Sequence, residues 1–404
     1  TQTLATLLFL APEIPPVGYR IFWLSPSSPS SPSSPSSPPS LPDWILENEF
    51  LRVVIDPDTG DLSSVFDKTY QREVLSGAGN QLQAFKDSGQ YWDAWNIDPN
   101  YAQHPLPSTN LQSIQWLEQG PVQSRVRVVR QLGESEFCQD YILQVGSSLL
   151  NIATTVDWQE NHVLVKAAFP FNIEADFATY EIPCSAIRRP TKPQTPAEQA
   201  KWEVPALRWA DLTGETHNGI HGVSLLNDCK YGYDSKPNQL RLTLLRSPNW
   251  PDSEADKGFH EFTYTLYPHT GSWESAHTVR RGYELNIPLQ VILNLVNENL
   301  PKNPPLSVGK DGLGVSFLDL SAENLILMAL KPSEDDPQQL ILRCYECHGE
   351  TAELSMQSDL GLNLGDTVDL LERSSTTEFS SQQQILTIQP WKIASFKVRP
   401  AINP

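Results

Sequence analysis

At 404 residues the chain exceeds one ordinary hydrophobic core and predicts two or three domains. Its 39% hydrophobic content, with 11 Trp and 12 Tyr, excludes disorder of the chain as a whole. A formal charge of −19 makes nucleic acid and anionic membrane surfaces poor partners, and leaves a neutral ligand such as a sugar acceptable.

In chain order, residues 4–10 and 18–24 are two apolar runs around a Pro-rich turn, and they predict an opening strand pair. The run 4–11 has no basic segment before it and leads into Pro12-Glu13-Ile14-Pro15-Pro16, so it is read as a strand and not as a signal peptide. No stretch approaches the roughly 20 apolar residues that span a bilayer. Residues 25–40 are Ser/Pro repeat with no side chains to bury, which predicts an exposed, flexible loop over 25–43. Next, Phe50-Leu51-Arg52-Val53-Val54-Ile55 and Leu62-Ser63-Ser64-Val65-Phe66 flank an Asp/Gly turn at 56–60, the pattern of a hairpin. Further strands are expected at 125–132, 140–145, 149–158, 163–169, 222–227, 239–245, 262–267 and 285–295. One short helix is expected in a loop, because Thr195-Pro196-Ala197-Glu198 offers an N-cap, Pro at the first helical position and a capping-box Glu. Asn299-Leu300-Pro301-Lys302-Asn303-Pro304-Pro305 breaks the pattern and sets a boundary. Beyond it, runs at 314–320, 325–331, 340–344, 367–371, 384–388 and 393–398 predict a second, smaller sandwich. The fold class is therefore all-β. The expected division is an opening strand pair at 1–24, a Ser/Pro-rich loop at 25–43, a large sandwich at 44–300 and a small one at 301–404.

Five cysteines (Cys138, Cys184, Cys229, Cys344 and Cys347) are few and odd in number, which argues against a disulfide framework and for a reducing cytoplasm. Cys344-Tyr345-Glu346-Cys347-His348 has the spacing of c-type haem attachment, but it ends an expected strand and is rejected as a haem site. His217 and His221 have metal-ligand spacing only on a helix, and Asn218-Gly219 with Gly222 predicts a loop there.

The block 202–264 holds Leu207-Arg208-Trp209-Ala210-Asp211, Leu225-Leu226-Asn227-Asp228-Cys229-Lys230-Tyr231-Gly232-Tyr233, Leu245-Arg246-Ser247-Pro248 and Gly258-Phe259-His260-Glu261-Phe262-Thr263-Tyr264. Together these resemble the late β-region of glycoside hydrolase family 38 α-mannosidases, in the branch that includes the cytosolic enzymes. The resemblance implies a large β-supersandwich of the galactose-mutarotase-like kind, followed by a small sandwich. It also implies a parent that hydrolyses terminal α-mannosides with retention, using two carboxylates about 5–5.5 Å apart. In the family those carboxylates and the zinc ligands lie in an N-terminal catalytic domain, and no counterpart of them is found here. The expectation is therefore no catalytic residue, no metal ligand and no cofactor in this chain, with zinc in the absent catalytic domain.

By the same resemblance, Tyr91-Trp92-Asp93-Ala94-Trp95 matches a segment that borders the sugar, and Arg246, Asp256, His260 and Glu261 fall on a loop that reaches toward it. The candidate substrate-binding residues are Tyr91, Trp92, Asp93, Trp95, Arg246, Asp256, His260 and Glu261. Aromatic faces pack on sugar C–H groups while charged groups bond hydroxyls. Residue chemistry alone also allows Tyr91, Trp92 and Trp95 to alternate as core and surface residues of a strand, with Asp93 capping a turn, and allows 246–261 to be a surface loop whose His260 and Glu261 begin the strand 262–267. Arg208 is paired with Asp211 on local spacing, with Trp209 stacked on a cation, and Asn227-Asp228 is read as holding a loop.

The expected function is the C-terminal β-half of an α-mannosidase, cytoplasmic, supporting the active site and forming part of its rim. Its partners are the N-terminal catalytic domain and a mannoside, without nucleic acid or membrane, and with self-association through the surface meant for the missing domain. This half alone is expected to be inactive. The alternative is an autonomous carbohydrate-binding or structural β-module. A mutarotase-like activity ranks below both, because His260 and Glu261 are adjacent in a strand and face opposite sides.

Overall fold

The computed structural model describes residues 7–15, 17–22, 44–89, 92–293, 314–374 and 385–400. The Ser/Pro loop, the boundary at 299–305 and the candidate Tyr91 lie outside the described residues. The chain divides into two compact units, Ser40–Pro288 and Thr1–Pro39 with Leu289–Pro404.

In the larger unit a nine-stranded antiparallel sheet packs on a five-stranded one. Strand Leu150–Trp158 lies at the middle of the first, between Ser135–Gln144 and Gly258–Thr270. Its alternation is strict: Leu150, Ile152, Thr154, Val156 and Trp158 are buried, as period-2 side-chain geometry requires. Facing them, Val163, Val165, Ala167 and Phe169 of strand Val163–Pro170 complete one core with Leu240, Leu242 and Leu244 of Gln239–Arg246. Strand Val163–Pro170 is buried on its other face too, where Leu164 meets Phe85 and Tyr101.

The expected hairpin is present as Leu51–Ile55 paired with Leu62–Asp67. Asp56 Oδ1 accepts the Asp58 and Thr59 N–H groups, each at 2.9 Å, and Gly60 takes φ +76°. A Cβ at Gly60 would lie 2.4 Å from Val128, so the turn admits little but glycine. The capping-box helix is also found, at Pro196–Gln199, with both reciprocal Thr195–Glu198 hydrogen bonds.

The smaller unit has a four-stranded antiparallel sheet in the order Leu325–Pro332, Leu340–Glu346, Ile393–Pro400, Leu362–Val368. A strand pair, Ala352–Leu354 with Leu386–Ile388, contributes to its core beside Leu342, Cys344 and Phe396.

Three expectations are corrected. Residues 7–10 form no strand, and the partner of Gly18–Arg20 is the distant Gly314–Ser316, because a non-local edge outcompetes a turn crowded with prolines. Of the expected strand 285–295, the described residues 285–293 form none. A helix runs over Thr278–Asn286, burying Thr278, Val279 and Gly282, and the following apolar run, broken by Pro288, stays irregular through 293. Strands Asn110–Gln119, Phe177–Ile182, Ser185–Pro190 and Trp209–Thr216 were not foreseen; the first three lie toward the edges of the nine-stranded sheet, where polar residues dilute the alternation.

Candidate functional site

Beyond strand Gln81–Lys86 the chain leaves the five-stranded sheet and makes a tight turn at 92–95. Trp92 sits in the left-handed region at φ +57°, a conformation costing a non-glycine residue about 1–3 kcal/mol. The turn holds because Trp92 O accepts the N–H groups of Trp95 at 2.8 Å and Asn96 at 3.2 Å. The side chain of Asp93 points into the protein and accepts the N–H of Asn249 at 2.8 Å and of Trp250 at 3.1 Å. Burial resists ionisation of Asp93, but these two bonds and the nearby His162 outweigh it and hold the carboxyl below its usual range.

Arg246 ties the same two segments from the other side. Its guanidinium meets the buried Asp87 carboxylate at 2.6 Å and donates to the Asn96 carbonyl at 3.0 Å. Asp87 also accepts the Asp98 N–H at 2.8 Å, so both ends of the turn are fixed.

These anchors gather three indoles at the surface. Trp92 lies 4.7 Å and Trp95 5.6 Å from Trp250, centroid to centroid, and the three are 58%, 66% and 48% exposed. Large aromatics held open by buried polar bonds form a platform suited to sugar C–H faces. The strand alternative for this segment does not hold: residues 92–95 form a turn, and Asp93 caps backbone some 156 residues away instead of its own turn.

The structure thus joins Trp92, Asp93, Trp95 and Arg246. Asp256 and His260 make a contact of their own, His260 Nε2 lying 2.7 Å from the Asp256 carbonyl, with Asp256 in the left-handed region. Glu261 is exposed on the strand, opposite Thr155. Trp250 and Asp87 were missed as individuals. Trp250 had a signal in its position inside the loop 246–261, whereas nothing local marks Asp87 as the partner of a residue so distant.

Two other expectations need correction. Arg208 does not pair with Asp211: it binds Glu181 at 2.5 Å and stacks over Tyr283 at 3.8 Å, and Asp211 faces His269 at 2.8 Å and Ser224 at 2.7 Å. Trp209 packs on Trp273 at 4.9 Å instead of on a cation. Neighbouring residues alternate sides of a strand, so Arg208 and Asp211 look into different surroundings. Asn227 does hold its loop, accepting the Lys230 N–H at 2.7 Å and donating to the Tyr233 hydroxyl at 2.6 Å.

Among the described residues no three or more His, Cys, Asp or Glu side chains gather as a metal site. Cys344 and Cys347 are buried, and burial pushes the Cys344 thiol up to about 12. Among the described residues no helix is long and apolar enough to cross a membrane.

Comparison with known proteins follows the same division of the chain. Residues 46–254 match the glycosyl hydrolases family 38 C-terminal domain, and residues 324–396 match the family 38 C-terminal beta sandwich domain. Human Alpha-mannosidase 2C1 is 33% identical over 87% of this chain and 33% of its own length, and the Alpha-mannosidase of Saccharomyces cerevisiae is 30% identical over 88% of this chain and 34% of its own. The chain spans about a third of the length of these relatives. In fold it is similar to an alpha-mannosidase from Enterococcus faecalis V583, with a TM-score of 0.69 at 14% identity, over 88% of this chain and 42% of that one. The chain belongs to glycosyl hydrolase family 38, of which it carries the C-terminal domain and the C-terminal β-sandwich domain.

Proposed function

We propose that this chain is the β-half of a retaining, zinc-dependent α-mannosidase of the cytoplasm, buttressing a catalytic domain and lining the rim of its substrate pocket. The observation that carries the reading is the exposed Trp92, Trp95 and Trp250 platform, held open by Asp93 and Arg246 in the segments where the family resemblance expects the rim. Arg246 serves as a positioning residue, since its donors are committed to Asp87 and Asn96. The zinc and the two carboxylates belong to the catalytic domain, so the 404-residue chain alone is inactive. Tyr91, Asp256, His260 and Glu261 remain rim candidates of this proposal.

The test is hydrolysis of 4-nitrophenyl α-mannoside. The purified chain releases no 4-nitrophenol above background, and enzyme-like rates would sink the proposal. In a protein that joins this chain to a family catalytic domain, Trp95→Ala and Trp250→Ala raise KM about ten-fold or more with less change in kcat, as loss of uniform binding requires. The same platform also fits an autonomous carbohydrate-binding module. Saturable mannose binding by the isolated chain, lost in Trp95→Ala, would favour that second reading.

A further inference from the structure

The larger unit holds a concavity lined from both of its sheets. Tyr180 and Arg189 come from the edge strands Phe177–Ile182 and Ser185–Pro190 of the nine-stranded sheet. Asp234 and Arg241 come from Gly232–Lys236 and Gln239–Arg246 of the five-stranded sheet, and Tyr101 and Trp202 also line it. The cavity measures about 270 Å³, just under the roughly 300 Å³ at which small-molecule sites begin, which limits it to a small ligand.

Its lining residues Asp234, Arg241 and Tyr101 are tied into a neutral buried network. Lys166, with no exposed surface, lies 2.5 Å from Glu203 and 2.8 Å from Asp234. Arg241 donates to Asp234 at 2.8 Å and to the Tyr101 hydroxyl at 2.8 Å. Two cations and two carboxylates cancel there, and their hydrogen bonds fix the wall residues in place.

Arg189 is different. Its guanidinium lies 4.7 Å from the Tyr180 ring, its Nη1 is buried with no hydrogen-bond partner, and among the described residues it has no carboxylate partner. Burial leaves this cation partly desolvated and without a counter-ion; the Tyr180 ring offsets part of that cost, and an anion would relieve the rest. The lining as a whole carries Arg189, Lys201, Lys236 and Arg241 against Glu198 and Asp234, a local positive excess in a chain of net charge −19. Aromatic and proline walls beside a spare cation match one ligand chemistry, a sugar ring bearing an anionic group.

We propose that this cavity binds an anionic monosaccharide, a hexose phosphate or a hexuronate, with its charged group toward Arg189 and its ring against Trp202. The inference is independent of the mannosidase reading, because it uses none of the tryptophan platform.

Calorimetric titration of the 404-residue chain with mannose 6-phosphate, glucuronate, mannose and inorganic phosphate tests it. At least one of the two charged sugars binds about ten-fold or more tightly than mannose and than inorganic phosphate, and which one does identifies the anionic group. Arg189→Gln weakens that binding about ten-fold or more, as expected for a charge-assisted hydrogen bond, and Arg189→Lys weakens it less. Trp202→Ala also weakens it, and Trp250→Ala leaves it unchanged. Circular dichroism checks that each variant folds, and Trp202→Ala carries the test if Arg189→Gln does not. Equal affinity for mannose, equal affinity for inorganic phosphate, no effect of the folded variants, or no binding of either charged sugar each overturns the proposal.

Discussion

The Asp93 carboxylate accepts the backbone N–H of Trp250 at 3.1 Å, joining two segments 157 residues apart. Through this bond and its neighbour from Asn249, one buried acid sets the position of an aromatic surface patch that it does not itself reach. Asp93→Ala leaves both N–H groups without their acceptor and is expected to cost about 1–3 kcal/mol. The sign with pH follows from the lowered folded-state pKa: the stabilisation is complete above the ordinary carboxylate range and is lost as pH falls through the depressed folded value. Urea unfolding followed by tryptophan fluorescence across the acid range checks this, the variant losing less stability than the parent protein as pH falls.

Arg246→Ala strands the buried Asp87 carboxylate, and about 3 kcal/mol of destabilisation is expected. Arg246→Lys keeps the charge but cannot reproduce the planar fork that reaches both Asp87 and the Asn96 carbonyl, so it falls between. Chemical denaturation of the three proteins ranks them; equal stability of the lysine and alanine variants would show that charge plays no part.

Lys166→Met removes the cation from between Glu203 and Asp234, and about 3–5 kcal/mol of destabilisation is expected. Burial works against the Lys166 ammonium, but the attraction of the two carboxylates outweighs it and raises its pKa. Its contribution is therefore fully present below the ordinary lysine pKa of about 10.4 and is lost as pH rises through the raised folded value. Denaturation midpoints measured into the alkaline range show this as a loss in the parent protein that the variant lacks.

Glu346 lies inside the Cys344–His348 motif and caps the loop that follows its strand. Its carboxylate accepts the backbone N–H groups of His348 at 2.7 Å, Gly349 at 2.8 Å and Trp391 at 2.9 Å, and the Asn324 amide at 3.0 Å. Glu346→Ala orphans four donors, and about 3 kcal/mol or more is expected. Hydrogen exchange should rise in strands Leu340–Glu346 and Ile393–Pro400 and not in Leu150–Trp158, whose core is separate.

Legibility in the sequence tracked how local each determinant is. The Asp56–Gly60 turn and the Thr195–Glu198 capping box are complete within five residues, and both are found as read. Strand Leu150–Trp158 was legible because one face is buried throughout, whereas Asn110–Gln119 was not, because register shifts at Leu111/Ser113 and Trp116/Glu118 interrupt an alternation that is only half-buried. Trp92, Trp95 and Arg246 could be nominated only by family resemblance, and Asp256, His260 and Glu261 were nominated with them although the structure gathers only Arg246 to the turn.

The sequence by itself determined the class of the fold, its local turns and its family, since alternation, capping and motif wording are properties of neighbouring residues. Tertiary structure alone decided that Arg246 pairs with Asp87, that Trp250 completes a patch with Trp92 and Trp95, and that Arg208 pairs with Glu181 instead of Asp211. Those choices depend on which strands become neighbours in a sheet and on which face each side chain emerges. Sequence distance is silent on both, because antiparallel pairing and sheet packing bring together residues more than 150 positions apart.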